Sequence, residues 1–281
     1  MNNFSLLRLK NVLVWDVFSN WKSYLRLFVG IVLGFFIIQL LTMYEYMHAD
    51  FTLQIQENPN IKELWQGRVM EVAFSLSMVA FLGYYYLGAS MILSTMKDKQ
   101  NRSNFLLIPA TNLEKFAERW LMCVPIIILM CLVGILGADL LRIIITPLIG
   151  HNSLPLLFTF ICKAFSQTEI FSDAYNFFSF SLALCIIFVN HALFLLGGCI
   201  FRRHPFISTG AAMLVCLILL AIAGNFVAML DLHFSLDHDL SYSTLSVIVW
   251  VVNLSVTSLL YWLSYRIFTR TQVIQNKWIN F

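Results

Sequence analysis

Uncharged apolar runs, separated by short polar and basic interludes, set the pattern of this chain. Six of them come close to or exceed the roughly 20 residues a helix needs to cross a hydrocarbon core about 30 Å thick. They are Leu27 to Tyr44, Val72 to Met96, Trp120 to Ala138, Ala174 to Phe201, His204 to Leu230 and Leu240 to Tyr265. Every backbone amide in lipid needs a partner within the protein, so each run predicts a helix. Segments of about ten residues with alternating polarity are missing, which excludes a barrel. A further uncharged stretch, Ile143 to Cys162, is long enough to cross but is interrupted by Pro147, Gly150, His151, Asn152, Ser153 and Pro155. Leu154 to Phe165 is read as an interfacial or re-entrant outer segment, too short to cross.

Ahead of the first run, a helical projection of Leu7 to Arg26 gathers Leu7, Leu13, Val14, Val17, Phe18, Trp21, Tyr24 and Leu25 on one side. Arg8, Asn11, Asp16, Ser19, Lys22, Ser23 and Arg26 fall on the other. Basic residues on a wet face opposite Trp describe a helix lying in the membrane interface, with a short soluble helix as the alternative. No small-x-small site follows the first run, so no cleaved signal peptide is expected. The organisation read from the pattern is an all-α integral membrane protein. It has an interfacial amphipathic helix over residues 1–26, a six-helix transmembrane domain over 27–268 and a tail over 269–281.

Composition agrees. Of 281 residues, 59% are hydrophobic and 12% charged, with a mean hydropathy of +0.78, against roughly a quarter charged in soluble domains. The net charge of +3 says nothing about nucleic acid, and no nucleic-acid partner is expected. The distribution of charge decides topology. With six spans and both termini cytoplasmic, 14 of the 18 basic residues lie inside and only Lys62, Arg68, Arg142 and Lys163 outside. A seventh span would leave 10 against 8, so the positive-inside rule selects six. The expected location is a cell (inner) membrane, multi-pass. Six cysteines lie singly in or beside apolar runs without metal-ligand spacing, and read as small apolar residues.

Phosphate-loop, zinc-protease and serine-elbow motifs are all missing from the sequence. No catalytic residue, metal site or cofactor is predicted, and energy from ATP would have to come from another chain. Polar residues inside spans carry the remaining chemistry, since such groups are costly in lipid. Asn190 and His191 in the fourth span, Asn225 in the fifth and Asn253 in the sixth are candidates for a solvated path, or for hydrogen bonding between helices. Asp139 and Arg142, three apart, are placed for a local ion pair. The Asp231 to Asp239 loop reads as a wet polar turn, or as a cation site if it folds back.

The segment Lys97 to Trp120, between the second and third spans, has three parts. Lys97, Lys99 and Arg102 form a basic cluster; Phe105, Leu106, Leu107 and Ile108 form a short apolar patch; Pro109 then breaks the chain, and Thr111-x-x-Glu114 makes a capping box for the next helix. Phe105, Leu106 and Leu107, three large apolar side chains at the loop tip, need a cover, either their own spans or a partner.

An amphipathic N-terminal helix, six spans, and a first cytoplasmic loop of basic cluster, apolar helix and Pro109-Ala110-Thr111 resemble the membrane subunit of an ABC-2 type ABC transporter. The resemblance implies an elbow at Leu7 to Arg26 and a coupling region at Asn104 to Lys115, with Arg202 to Pro205 as a second contact. It further implies docking through Phe105, Leu106, Leu107, Pro109, Thr111 and Glu114 onto a separate ATP-binding cassette subunit, and a second membrane subunit to complete the path. The chain departs from that pattern in its short loop between the fifth and sixth spans and its bulky segment between the third and fourth. The expected function is a permease subunit for an amphiphilic, lipid-like, peptide or drug-like substrate, exported with energy from the partner ATPase. The alternative is a non-transporting membrane scaffold or sensor that binds a cytoplasmic partner. An intramembrane enzyme ranks last, because no nucleophile stands near a base.

Overall fold

The computed structural model describes residues 4–50, 59–96, 99–148, 157, 174–229 and 242–270; the side chains of 45–50, 59–63, 95, 99, 174–175, 223–229 and 242–243 are not described. The long elements among the described residues are helices: α1 (Leu6–Asp50), α2 (Pro59–Ser90), α3 (Lys99–Leu107), α4 (Asn112–Cys123), α5 (Pro125–Leu148), α6 (Ala174–Ile200), α7 (Pro205–Met229) and α8 (Tyr242–Thr269). A 3-10 turn, Ser94–Met96, precedes α3. Among the described residues six stretches are long and apolar enough to cross a membrane: Leu6–Tyr44, Leu64–Ser90, Asn112–Leu148, Asn176–Ile200, Pro205–Ile222 and Thr244–Thr269. The protein is therefore an all-α membrane protein with six such helices, as the apolar runs predict.

Three boundaries differ from the sequence reading, each for a local reason. The N-terminal helix is continuous with the first span through a break at Asn20, where φ is −115° and ψ 15°, so the joint falls six residues before the expected Arg26. The second helix ends at Ser90, and Met91 to Met96 continue as turn and 3-10 backbone. The third run is divided at Val124, because Pro125 lacks an amide hydrogen and is tolerated only as the first residue of a new helix.

By backbone contacts the chain forms two compact units. One comprises 13–85 and 124–168. Its core packs Ile31 and Phe35 of α1 against Ile127, Cys131 and Ala138 of α5. Gly134 lets the helices approach, since a Cβ there would lie 2.9 Å from Ile31 Cγ2. Further along, Thr146 Oγ1 sits 3.5 Å from Met43 Sδ. Contacts advance in the same direction on both helices, so α1 and α5 run parallel. Tyr84 of α2 donates to the Gly30 carbonyl at 3.4 Å and packs on Phe35. In a second cluster Leu157 is buried against Val69, Met70 and Ala73.

The other unit comprises 1–12, 86–123 and 169–281. α6 packs on both α7 and α8. Small residues again set the spacing: Gly198 faces the Ser90 carbonyl oxygen, 2.5 Å from where a Cβ would stand, and Gly197 faces Thr209. The core joins Val12, Ala89, Ile92, Phe105, Leu195 and Phe268.

Candidate functional site

The joint between α2 and α4 is built by three side chains that reach backward. Arg102 donates to the Met96 carbonyl through Nε at 3.0 Å and Nη2 at 2.8 Å, which ends the 3-10 turn on a cation. Three residues on, the same face of α3 presents Phe105, which is 1% exposed. Arg119 holds its guanidinium carbon 4.5 Å from that ring's centre, and Lys115 its ammonium at 5.9 Å, a cation–π arrangement on both counts. Lys115 also donates to the Leu106 carbonyl at 2.7 Å. Burial and then the nearby Arg202 guanidinium lower the pKa of Arg102, so the α6–α7 turn brings its charge toward this joint.

The expected three-residue knob is therefore corrected. Phe105 is core, not tip, because α3 already runs from Lys99 and its helical period puts Arg102 and Phe105 together on the inward side. Leu106 is half-buried. Leu107, 81% exposed, and Leu113, 49% exposed, are the bare apolar residues, with Pro109 exposed between them.

Thr111 and Glu114 form the predicted capping box. The Thr111 amide donates to Glu114 Oε2 at 2.8 Å, and the Glu114 amide donates to Thr111 Oγ1 at 3.3 Å. The same carboxylate receives a second set of donors from the start of the chain: the Ser5 amide at 2.7 Å and Arg8 through Nε and Nη2 at 2.9–3.2 Å. Buried Glu114 thus ties the beginning of α1 to the beginning of α4. α4 is inverted relative to an ordinary surface helix, since its buried face holds Glu114, Lys115, Glu118 and Arg119.

Two charges placed on the wet face of the N-terminal helix are corrected as well. Arg8 turns to Glu114, and Asp16 is fully buried. Asn20 Nδ2 donates to Asp16 Oδ1 at 2.8 Å and the Tyr24 hydroxyl to Oδ2. Tyr24, expected on the apolar side opposite Asp16, is corrected with it: the i, i+4 spacing of Asp16, Asn20 and Tyr24 places all three on one helical face.

Of the four candidates Asn190, His191, Asn225 and Asn253, the side chains of three are described, and all three bond to neighbouring helices. Trp120 Nε1 donates to the Tyr261 hydroxyl at 3.3 Å, and that hydroxyl lies 2.9 Å from Nδ1 of buried His191. Asn190 bonds to the Tyr86 hydroxyl. Asn253 Nδ2 donates to the Cys185 carbonyl at 2.7 Å. Asn190 and Asn253 also line one cleft of about 500 Å³ between α6 and α8. The side chain of Asn225 and the Asp231 to Asp239 loop lie outside the described residues.

The predicted Asp139–Arg142 pair is present and buried, with Nη2 to Oδ1 at 2.6 Å. The sequence did not show that Asp139 Oδ2 also accepts the Leu157 amide at 2.7 Å, which fixes one residue of the bulky segment after the third span; the rest of 149–173 is outside the described residues. Among the described residues no group of three or more His, Cys, Asp or Glu is placed to hold a metal ion.

Comparison of the chain with protein-family models, with curated proteins and with solved structures yields no match.

Proposed function

We propose that this chain is the permease subunit of an ABC-2 type transporter, set in an inner membrane with both termini cytoplasmic. A separate ATP-binding subunit drives it, and a second membrane subunit completes an outward path for an amphiphile. The observation that supports the reading is the construction of the α3–α4 joint. Its inner face is locked by Arg102, Phe105 and Lys115 and by the Glu114 clamp to Ser5 and Arg8. Its outer face exposes Leu107 and Leu113. A bare apolar surface on a rigid joint suits docking, because each large side chain a partner buries is worth about 1.5–3 kcal/mol and a few such anchors dominate an interface. A helix that begins at a satisfied capping box can also pass a push along its axis.

Both leucines are exposed, so replacing Leu107 and Leu113 with Asp leaves insertion and the folded core intact. The double variant is expected to lose the co-purifying ATP-binding subunit and ATP-dependent transport. Retention of that subunit at wild-type stoichiometry would place the docking surface elsewhere. Recovery of a partner without nucleotide sites by the wild-type chain would favour the scaffold.

A further inference from the structure

We infer that the last turns of α8 are a binding site for a phospholipid of net negative charge, whose headgroup phosphate is held jointly by Arg266 and Arg270 while Trp262 packs beneath it. The outward face of α8 changes character along its length. Val252 and Leu259 are 56% and 55% exposed, which suits acyl chains, and Trp262 follows on the same face at 53%. One turn on stands Arg266 and a further turn on Arg270, both exposed. Apolar side chains, then an indole, then two guanidiniums match a bilayer read from hydrocarbon to headgroup.

Depth supports that order. Trp262 lies 20 residues past Tyr242, where α8 begins, and at 1.5 Å per residue this is about 30 Å, the thickness of a hydrocarbon core. Arg266 then stands about 6 Å beyond the core boundary and Arg270 about 12 Å beyond it, within reach of the phosphate layer for a side chain that bends back. Two guanidiniums one turn apart on one face can share a phosphate, because each presents a planar fork of donors.

The neighbours decide what kind of lipid fits. No Asp or Glu occurs between Leu240 and Phe281. Helix α4 packs beside this end of α8 through Phe116, whose ring centre lies 5.4 Å from those of Tyr265 and Phe268. Its two carboxylates are buried and paired, Glu114 with Arg8 and Glu118 with Arg119. Among the described residues neither Arg266 nor Arg270 has a carboxylate partner, so their complement is an anion in the headgroup layer. The Arg266 guanidinium carbon sits 4.8 Å from the centre of the Trp262 ring, a cation–π contact that occupies the indole face a choline ammonium would use. A zwitterionic lipid therefore brings its ammonium against two arginines, and a lipid of net negative charge does not. A soluble acidic protein is disfavoured as the occupant, because it would have to cover an indole at the edge of the hydrocarbon. The site needs only the bilayer, with or without an ATPase partner.

The test uses the full chain in vesicles of equal parts phosphatidylcholine and phosphatidylglycerol. One lipid or the other carries bromine near the headgroup end of its acyl chains, where it quenches indole fluorescence. Each variant is measured beside the same chain carrying Trp262→Phe, so that the difference reports this ring alone. Phosphatidylglycerol is expected to be preferred beside the ring about five- to tenfold, the effect of one or two cations at an anionic surface. Arg266→Gln with Arg270→Gln should bring the preference to unity, and because both side chains are exposed the packed core is untouched. Lys10→Gln with Lys22→Gln removes the same charge from exposed positions of α1 and should leave the preference as it was. Equal quenching by the two lipids in the wild-type chain, or an unchanged preference in the double arginine variant, overturns the assignment. So does an equal fall in the lysine control, which would make the attraction a diffuse effect of net charge. Displacement of the lipid by inorganic phosphate at constant ionic strength would likewise overturn it, by making the pair a site for free phosphate.

Discussion

Two buried carboxylates hold this chain to itself, Glu114 at the start of α4 and Asp139 in the second half of α5, and both combine an arginine with a backbone amide. Asp139 takes its arginine from its own helix, three residues on, and both side chains are almost fully enclosed. Glu114 takes its arginine from 106 residues away, and Arg8 stays 27% exposed. Glu114 also closes a capping box, so its local role would survive loss of the distant one. The same chemistry thus makes a deep, local lock in one unit and a partly wet, long-range clasp in the other.

Removing the carboxylates separates the two cases. Asp139→Ala takes the counter-charge from an enclosed guanidinium and the acceptor from Leu157, and should cost about 3–5 kcal/mol, the range for breaking a buried pair. Glu114→Ala leaves Arg8 able to turn to water, and should cost about 1.5–3 kcal/mol, the range for charged hydrogen bonds. Thr111→Ala removes the cap hydroxyl together with its methyl and should cost about 1 kcal/mol, while the clasp to Ser5 and Arg8 persists. All three are read from unfolding of the purified protein by dodecyl sulfate. Equal losses for the two carboxylates would show that Arg8 is as enclosed in the folded protein as Arg142.

Spans were readable because lipid imposes one rule, internal satisfaction of the backbone, on every apolar run. The cap at Thr111 and the Asp139–Arg142 pair were readable because both are local, three residues apart. Partners such as Arg8 for Glu114, or Tyr261 for His191, come from other helices, and no periodicity records them. Phe105 departs from the sequence pattern for a different reason. Four apolar residues between a basic cluster and a proline read as an exposed tip, until helix α3 is seen to begin at Lys99 and to turn Arg102 and Phe105 inward as a pair. Asp16 breaks the rule that a charge is wet, because Asn20 and Tyr24, four and eight residues on, enclose it with donors.

The long reach of Glu114 has a consequence for how the protein is made. A ribosome adds about 5–20 residues per second, so some 5–20 s separate the synthesis of Arg8 from that of Glu114, 106 residues later. Two of the six long apolar helices, α1 and α2, are complete before the clasp can close. During that interval the first residues of α1 carry a cation and an amide whose acceptor does not yet exist. Asp139 waits only 18 residues for Leu157. Closure of the Glu114 clasp is therefore a late event that reports the arrival of the first loop, and a nascent chain halted before α4 should leave its N-terminal residues open to protease.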